Sequence, residues 1–369
     1  MTKVTYLLGA GASYGAVPIV GEMEERLQTI ITSLKGSIPF MNINDDGKGS
    51  KPIPFELFED SEIHEKIGPN FTKDLERLFQ GMQAHSSVDT YAKKLYLLER
   101  TTNQNLADEN AMNLDKLKLM LSCFLTLEQM IKPPDYRYDK FLASILQNDI
   151  LSFPSQMNIL SWNYDYQFEL AYSDYSKQPL HENKARLNIL SKGSNKPIKA
   201  GFTIVKLNGT SGITGIESDE NYLINTSNTS KLFKEYEDLL ELYDNYLNNT
   251  AFKGDLTLSF AWEEEPAERE ASEKVLYKTK KLISDTDYLV VIGYSFPFFN
   301  SEIDLQLLDS MEGLQKVFVQ DTHPEKISSS LNGLKDVTEL EFEIDTTPSG
   351  LAPYYSDILQ FEFRNKFIR

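Results

Sequence analysis

Short apolar runs separated by long intervals set the pattern of this chain. Val4, Tyr6, Leu7 and Leu8 stop abruptly at Gly9. Asn158–Trp162 (NILSW), Phe202–Leu207 (FTIVKL), Leu256–Trp262 (LTLSFAW), Tyr288–Ile292 (YLVVI) and Val317–Val319 are equally short and mostly apolar. Such runs read as strands buried on both faces of a parallel sheet. Between them the apolar period lengthens to that of a helix. Met23, Leu27, Ile30, Ile31 and Leu34 share one face, as do Leu75, Leu78, Phe79 and Met82. Tyr91, Leu95 and Leu98 define another helix, and Leu232, Tyr236, Leu239, Leu240, Tyr243 and Leu247 a further one; the last spans about 267–283. From Leu117 to Ile131 only Lys118, Ser122, Thr126 and Gln129 form a polar stripe, so that helix is buried nearly all round, with Cys123 in its core. Leu340, Phe342 and Ile344 alternate with glutamates, as in a half-exposed edge strand, and Gly36–Pro54 reads as a long exposed loop. Strands alternating with helices predict an α/β fold, a Rossmann-like parallel sheet flanked by helices. The expected organisation is one domain over 1–369 with a mostly helical insertion at about 36–150.

Charge and cysteine usage narrow the function. With 55 acidic and 37 basic residues the formal charge is -18, which disfavours nucleic acid as a partner. A single cysteine, Cys123, excludes a disulfide framework and a cysteine-based zinc site. The chain enters its first strand at once, so no signal peptide is expected. Leu117–Ile131 is too short to span a bilayer and carries Lys118 and Glu128. A cytoplasmic location without membrane contact is expected.

In open parallel sheets ligands bind beyond the carboxyl ends of the strands. The first run is followed by Gly9-Ala10-Gly11-Ala12-Ser13, a turn that brings backbone close to a ligand, with phosphate the usual occupant. It departs from the full dinucleotide fingerprint, because Tyr14 stands where the third glycine belongs and Gly15 follows it. NILSW is followed by Asn163-Tyr164-Asp165, TIVKL by Asn208-Gly209-Thr210, YLVVI by Gly293-Tyr294-Ser295-Phe296-Pro297, and VFV by Gln320-Asp321. Each has a purely structural reading as well. Asn163 and Asp165 stand where a helix begins, Ser295 precedes a proline turn, and Asp321 stands where it would cap the next turn.

The ordered set GAGAS, SWNYD, VKLNG, VIGYSFP and VFVQD resembles the SIR2-like NAD-binding family, and more narrowly its bacterial branch associated with phage defence. The resemblance runs from Leu8 to Asp321 and leaves out about 36–150. It implies that Gly9, Ala10, Gly11, Ala12 and Ser13 cradle the phosphates and ribose of NAD. Asn163 would bind hydroxyls or the attacking water, and Asp165 would face the nicotinamide. Gly293 and Ser295 would meet the adenosine ribose, with Asp321 beside the adenine. The implied activity is NAD+ hydrolysis to nicotinamide and ADP-ribose, with NAD depletion as an anti-phage response. The implied partners are further copies of the chain or a defence protein such as a HerA-like ATPase.

Two departures qualify this resemblance. The family carries His-Gly where this chain has Asn208-Gly209, and an amide cannot take a proton as an imidazole does. His64, His85, His181 and His323 lie outside the block and read as solvent or loop residues. Protein deacylases of the family also carry a four-cysteine zinc module, so deacylation is disfavoured, no metal is expected, and the helical insertion stands in place of the zinc-binding domain. Hydrolysis, with Asn163, Asp165 and Asn208 as the working groups, therefore competes with binding of NAD or ADP-ribose without turnover. Hydride transfer is disfavoured by the broken glycine fingerprint.

Overall fold

A computed structural model of the chain describes residues 2–36, 40–41, 52–53, 61–101, 112–146, 149–178, 180–192, 199–215, 232–249, 251–252, 254–263, 270, 274–334 and 341–345. The strands are β1 (Val4–Leu8), β2 (Phe40–Met41), β3 (Pro52–Ile53), β4 (Met157–Ser161), β5 (Ile189–Ser191), β6 (Thr203–Lys206), β7 (Gly209–Gly215), β8 (Gly254–Leu258), β9 (Tyr288–Ile292), β10 (Lys316–Gln320) and β11 (Glu341–Asp345). The chain divides into two compact units. The first comprises Met1–Gly15, Pro134–Thr210 and Ser259–Arg369; the second comprises Ala16–Pro133 and Ser211–Leu258.

The first unit is built on a seven-stranded sheet in the order β11-β10-β9-β1-β4-β6-β5, every pairing parallel. Alternation along β1 explains why both faces are covered. Tyr6 and Leu8 join Ile159, Ile204, Val290 and Phe318 beneath the helices Tyr136–Ile145 and Gln167–Ser176, which contribute Tyr138, Phe141, Phe168 and Tyr172. Leu7 joins Leu160, Val205, Val291 and Val319 on the opposite face. There Val275–Ile283, Ser301–Ser310 and Pro324–Leu334 supply Ile283, Leu307, Leu308 and Leu331. The architecture is thus α/β and Rossmann-like. Its order reverses beside β1: the chain passes from β1 to β4, crosses to the edge strand β5, comes back to fill the place between them with β6, and starts again at β9 on the other side of β1.

The second unit is mostly helical. Met23–Leu34, Glu62–Gln83, Val88–Thr101, Leu114–Ile131 and Leu232–Asn248 are its helices. The helical segment expected over about 36–150 therefore falls into both units: Tyr136–Ile145 covers the sheet, while the second unit also draws on Met23–Leu34 and Leu232–Asn248. Leu114–Ile131 is buried even along its polar stripe of Lys118, Ser122, Thr126 and Gln129. Within the unit, Glu128 is fully buried and takes Arg26 Nε at 3.1 Å and Arg26 Nη2 at 2.9 Å.

Three local expectations change. LTLSFAW is not a strand of the main sheet: the strand it begins, β8, ends at Leu258 and pairs with β7 in a separate two-stranded sheet. A hydrophobic run specifies burial, and here the pairing partner arrives directly after β6. The Gly36–Pro54 loop contains a short antiparallel pair, β2 with β3, and its other residues beyond Gly36 lie outside the described ones. Of the helix expected at about 267–283 the described part is Val275–Ile283, and Leu340 also lies outside. The edge strand itself is present as β11, paired with β10. Among the described residues no helix is long and apolar enough to cross a membrane.

Candidate functional site

Parallel pairing places all strand ends on one edge, and the register sets their level. Leu8 pairs with Ser161 and Ile292, Ser161 with Lys206, and Ile292 with Gln320. The next residues, Gly9, Trp162, Leu207, Gly293 and Asp321, therefore stand level, with Asn163 and Asn208 one step further. The residues picked out by sequence converge on the edge where such sheets bind ligands, around the β1–β9 reversal.

The glycine turn is built differently from a phosphate loop that opens an α-helix. Ala10–Ser13 form a 3-10 turn, and the next α-helix starts only at Met23. The Gly9 N–H donates to the Ile292 carbonyl at 3.0 Å and the Gly11 N–H to the Gly293 carbonyl at 3.0 Å. A Cβ on Gly9 would stand 2.5 Å from the Gly293 carbonyl oxygen; one on Gly293, where φ is +58°, would stand 2.5 Å from the Ala12 nitrogen. These glycines let two backbone segments touch, and two of the turn's N–H groups are spent on that contact. We expect Gly9→Ala to destabilise the protein by about 1–3 kcal/mol, because the new methyl meets backbone that cannot rotate away. Urea denaturation measures this, and unchanged stability would show that the contact yields.

Three side chains that the sequence did not single out hold the turn from the start of Tyr136–Ile145. Arg137 Nη1 donates to the Gly11 carbonyl at 3.0 Å; the Gly15 N–H donates to Asp135 Oδ2 at 3.0 Å; Tyr138 Oη and Ser13 Oγ share a hydrogen bond at 2.9 Å. Asp135 and Arg137 are themselves a buried ion pair, with Nε 2.8 Å from both carboxylate oxygens. The run Pro133-Pro134-Asp135 signals a helix start, with Asp135 as its cap. Nothing local says that the same carboxylate reaches back to residue 15.

Asn163 is 8% exposed and sits against the turn: Nδ2 donates to the Gly9 carbonyl at 2.8 Å and to Ser13 Oγ at 3.3 Å. Asp165 Oδ1 accepts the Gln167 N–H at 3.1 Å, so the capping role is real; Oδ2 has no hydrogen-bond partner among the described residues. Asn208 is 5% exposed. Its backbone carbonyl accepts the Ser259 N–H at 2.9 Å, and Nδ2 lies 3.4 Å from Tyr164 Oη. Its Oδ1 is buried without a hydrogen-bond partner. Turning the carboxamide over only exchanges the two ends, so one end of this buried amide is unsatisfied either way.

On the other side of the reversal Ser295 is exposed, and Asp321 is half-buried with Oδ1 accepting the His323 N–H at 2.8 Å, again as a cap. A cluster that the sequence did not reveal joins the two sides of the reversal. Asp304, buried on Ser301–Ser310, accepts Trp162 Nε1 at 3.1 Å and Tyr294 Oη at 2.6 Å, and Asn300 Nδ2 donates to Tyr294 Oη at 3.0 Å. The carboxylate thereby ties the loop after β4 to the loop after β9. Burial pushes its pKa up to about 7, and the hydrogen bonds from Tyr294 and Trp162 offset only part of that.

The histidines are not interchangeable with Asn208. His64 lies in the second unit, its Nδ1 3.0 Å from Tyr236 Oη, and burial lowers its pKa. His85 Nδ1 lies 2.7 Å from the Gly81 carbonyl, and His181 is within Leu180–Arg186. His323 does stand at the ligand edge, but β10 and β6 are four strand spacings apart, roughly 19 Å, too far for it to act beside Asn208. Among the described residues no cluster of three or more His, Cys, Asp or Glu is arranged to hold a metal. Burial raises the pKa of Cys123, which suits a packed thiol and not a nucleophile. Compared with models of known protein families and with characterised proteins, the chain matches none.

Proposed function

We propose that the first unit binds NAD+ across the carboxyl edge of its sheet and hydrolyses the bond between nicotinamide and ribose. The observation that carries this reading is Asn208: a buried amide at a strand end, one end near Tyr164 and the other unsatisfied, calls for a polar ligand. The strand ends, from Asn208 just beyond β6 to Asp321 just beyond β10, offer a span suited to a dinucleotide. The glycosidic bond breaks through an oxocarbenium-like state, so the site must hold the ribose, release neutral nicotinamide and admit one water. Asn163 would position the water or the sugar hydroxyls, Asp165 Oδ2 would face the developing positive charge, and Asn208 would accept from a ribose hydroxyl. The context implied by the resemblance is NAD depletion during phage infection, through self-assembly or beside a partner ATPase.

Asn208 also favours a second reading, in which NAD or ADP-ribose is bound without turnover, because a carboxamide takes no proton. Incubation with NAD+ and measurement of nicotinamide separates the two. On the first reading wild type releases nicotinamide, Asn208→Ala is slower by about tenfold to a hundredfold, and Asn208→His is at least as active as wild type. An inert wild type beside an active Asn208→His supports the binding module. Turnover identical in wild type and Asn208→Ala would remove position 208 from the site.

A further inference from the structure

The second unit carries a cavity of about 390 Å³ that the sheet-edge site does not use. One face of Glu62–Gln83 lines it with Lys73, Asp74 and Arg77; the first turn of Leu114–Ile131 adds Asp115 and Lys116, and the last turns of Leu232–Asn248 add Asp244. Asp74 is buried and fully engaged: Arg77 Nη1 lies 2.8 Å from Oδ1, while Lys116 Nζ at 2.7 Å and Tyr243 Oη at 2.6 Å donate to Oδ2. This network fixes the guanidinium and the Lys116 ammonium but uses little of their donor capacity. Arg77 Nε and Nη2 have no hydrogen-bond partner among the described residues, and Lys73 makes no ion pair there. Three cations and three carboxylates line the cavity, so it is formally neutral in a chain whose net charge is -18, and one of the carboxylates, Asp74, is committed to Arg77 and Lys116. Asp115 and Asp244 are the remaining acids; Asp244 Oδ1 accepts Asn248 Nδ2 at 2.7 Å.

We propose that this cavity binds a small phosphorylated polyol, with its phosphate on Lys73 and Arg77 and its hydroxyls on Asp115 and Asp244. A guanidinium held on one side by a carboxylate presents its other N–H groups as a fork, which matches two phosphate oxygens. The acids repel a bare polyanion and accept from hydroxyls, so they select a sugar phosphate over a more highly charged competitor. The volume suits such a molecule and exceeds what inorganic phosphate would fill.

Titration calorimetry on the full chain tests this with ribose 5-phosphate, inorganic phosphate and free ribose. Ribose 5-phosphate is expected to bind more tightly than either control. Lys73→Met and Arg77→Met are each expected to weaken it by about tenfold to a hundredfold, the value of a charge-assisted hydrogen bond. Lys73 is exposed and holds no ion pair among the described residues, so Lys73→Met leaves the fold intact, and an unchanged melting temperature verifies that. No binding of ribose 5-phosphate, equal binding of inorganic phosphate, or undiminished binding by both variants would each overturn the proposal.

Discussion

Arg137→Ala is expected to lower unfolding stability by about 3–5 kcal/mol, because it leaves the buried Asp135 carboxylate without its cation. Arg137 also holds the Gly11 carbonyl, so the loss falls on the turn after β1 as well as on the ion pair. Arg137→Lys keeps the charge but not the fork, and recovers only part of the loss. The double variant Asp135→Asn/Arg137→Leu is expected to be more stable than Arg137→Ala alone, since it removes the stranded charge together with its partner. Urea denaturation of the set is the measurement. A loss below about 1 kcal/mol for Arg137→Ala would mean that water reaches Asp135.

The second large effect is a pH dependence centred on Asp304. Its folded pKa, about 7, lies above that of an unfolded aspartate. The folded state therefore binds this proton more tightly than the unfolded chain. The sign follows: the stabilisation is full below about pH 4, declines as pH rises, and is gone above about pH 7. Its size is on the order of 4 kcal/mol. Asp304→Asn imitates the protonated acid: its amide oxygen still accepts from Trp162 and its nitrogen faces Tyr294. The variant is expected to be more stable than wild type at about pH 8, and to match it below about pH 4. Parallel stability curves for the two proteins would show that Asp304 does not titrate with folding.

The sheet was legible because its strands are buried on both faces, so β1, β4, β6, β9 and β10 appear as short, mostly apolar runs. The parallel register then does the rest, bringing five separated strand ends to one edge. β5 was missed because a three-residue edge strand, Ile189–Ser191, carries too little pattern. β8 was assigned to the wrong sheet because apolar alternation records burial and not pairing. The supports of the site escaped for another reason. Asp135 meets Gly15 across 120 residues and Trp162 meets Asp304 across 142, and no local periodicity records such distances. The glycines had a visible purpose, close approach, but the partner in that approach is Gly293 on the neighbouring loop.

Neither compact unit is a continuous stretch of chain, and this matters during synthesis. The second unit has all its residues once Leu258 has left the ribosome. The first cannot close until β9, β10 and β11 emerge, although its central strand, β1, precedes every other described strand. Between the emergence of β4 and that of β9, β1 can pair on one side only, and its β9 side is an open edge of unpaired backbone N–H and C=O groups. Such an edge invites pairing with other chains. Truncations that stop between β8 and β9 are therefore the forms of this protein most prone to aggregate, and chaperone dependence should peak over the same interval.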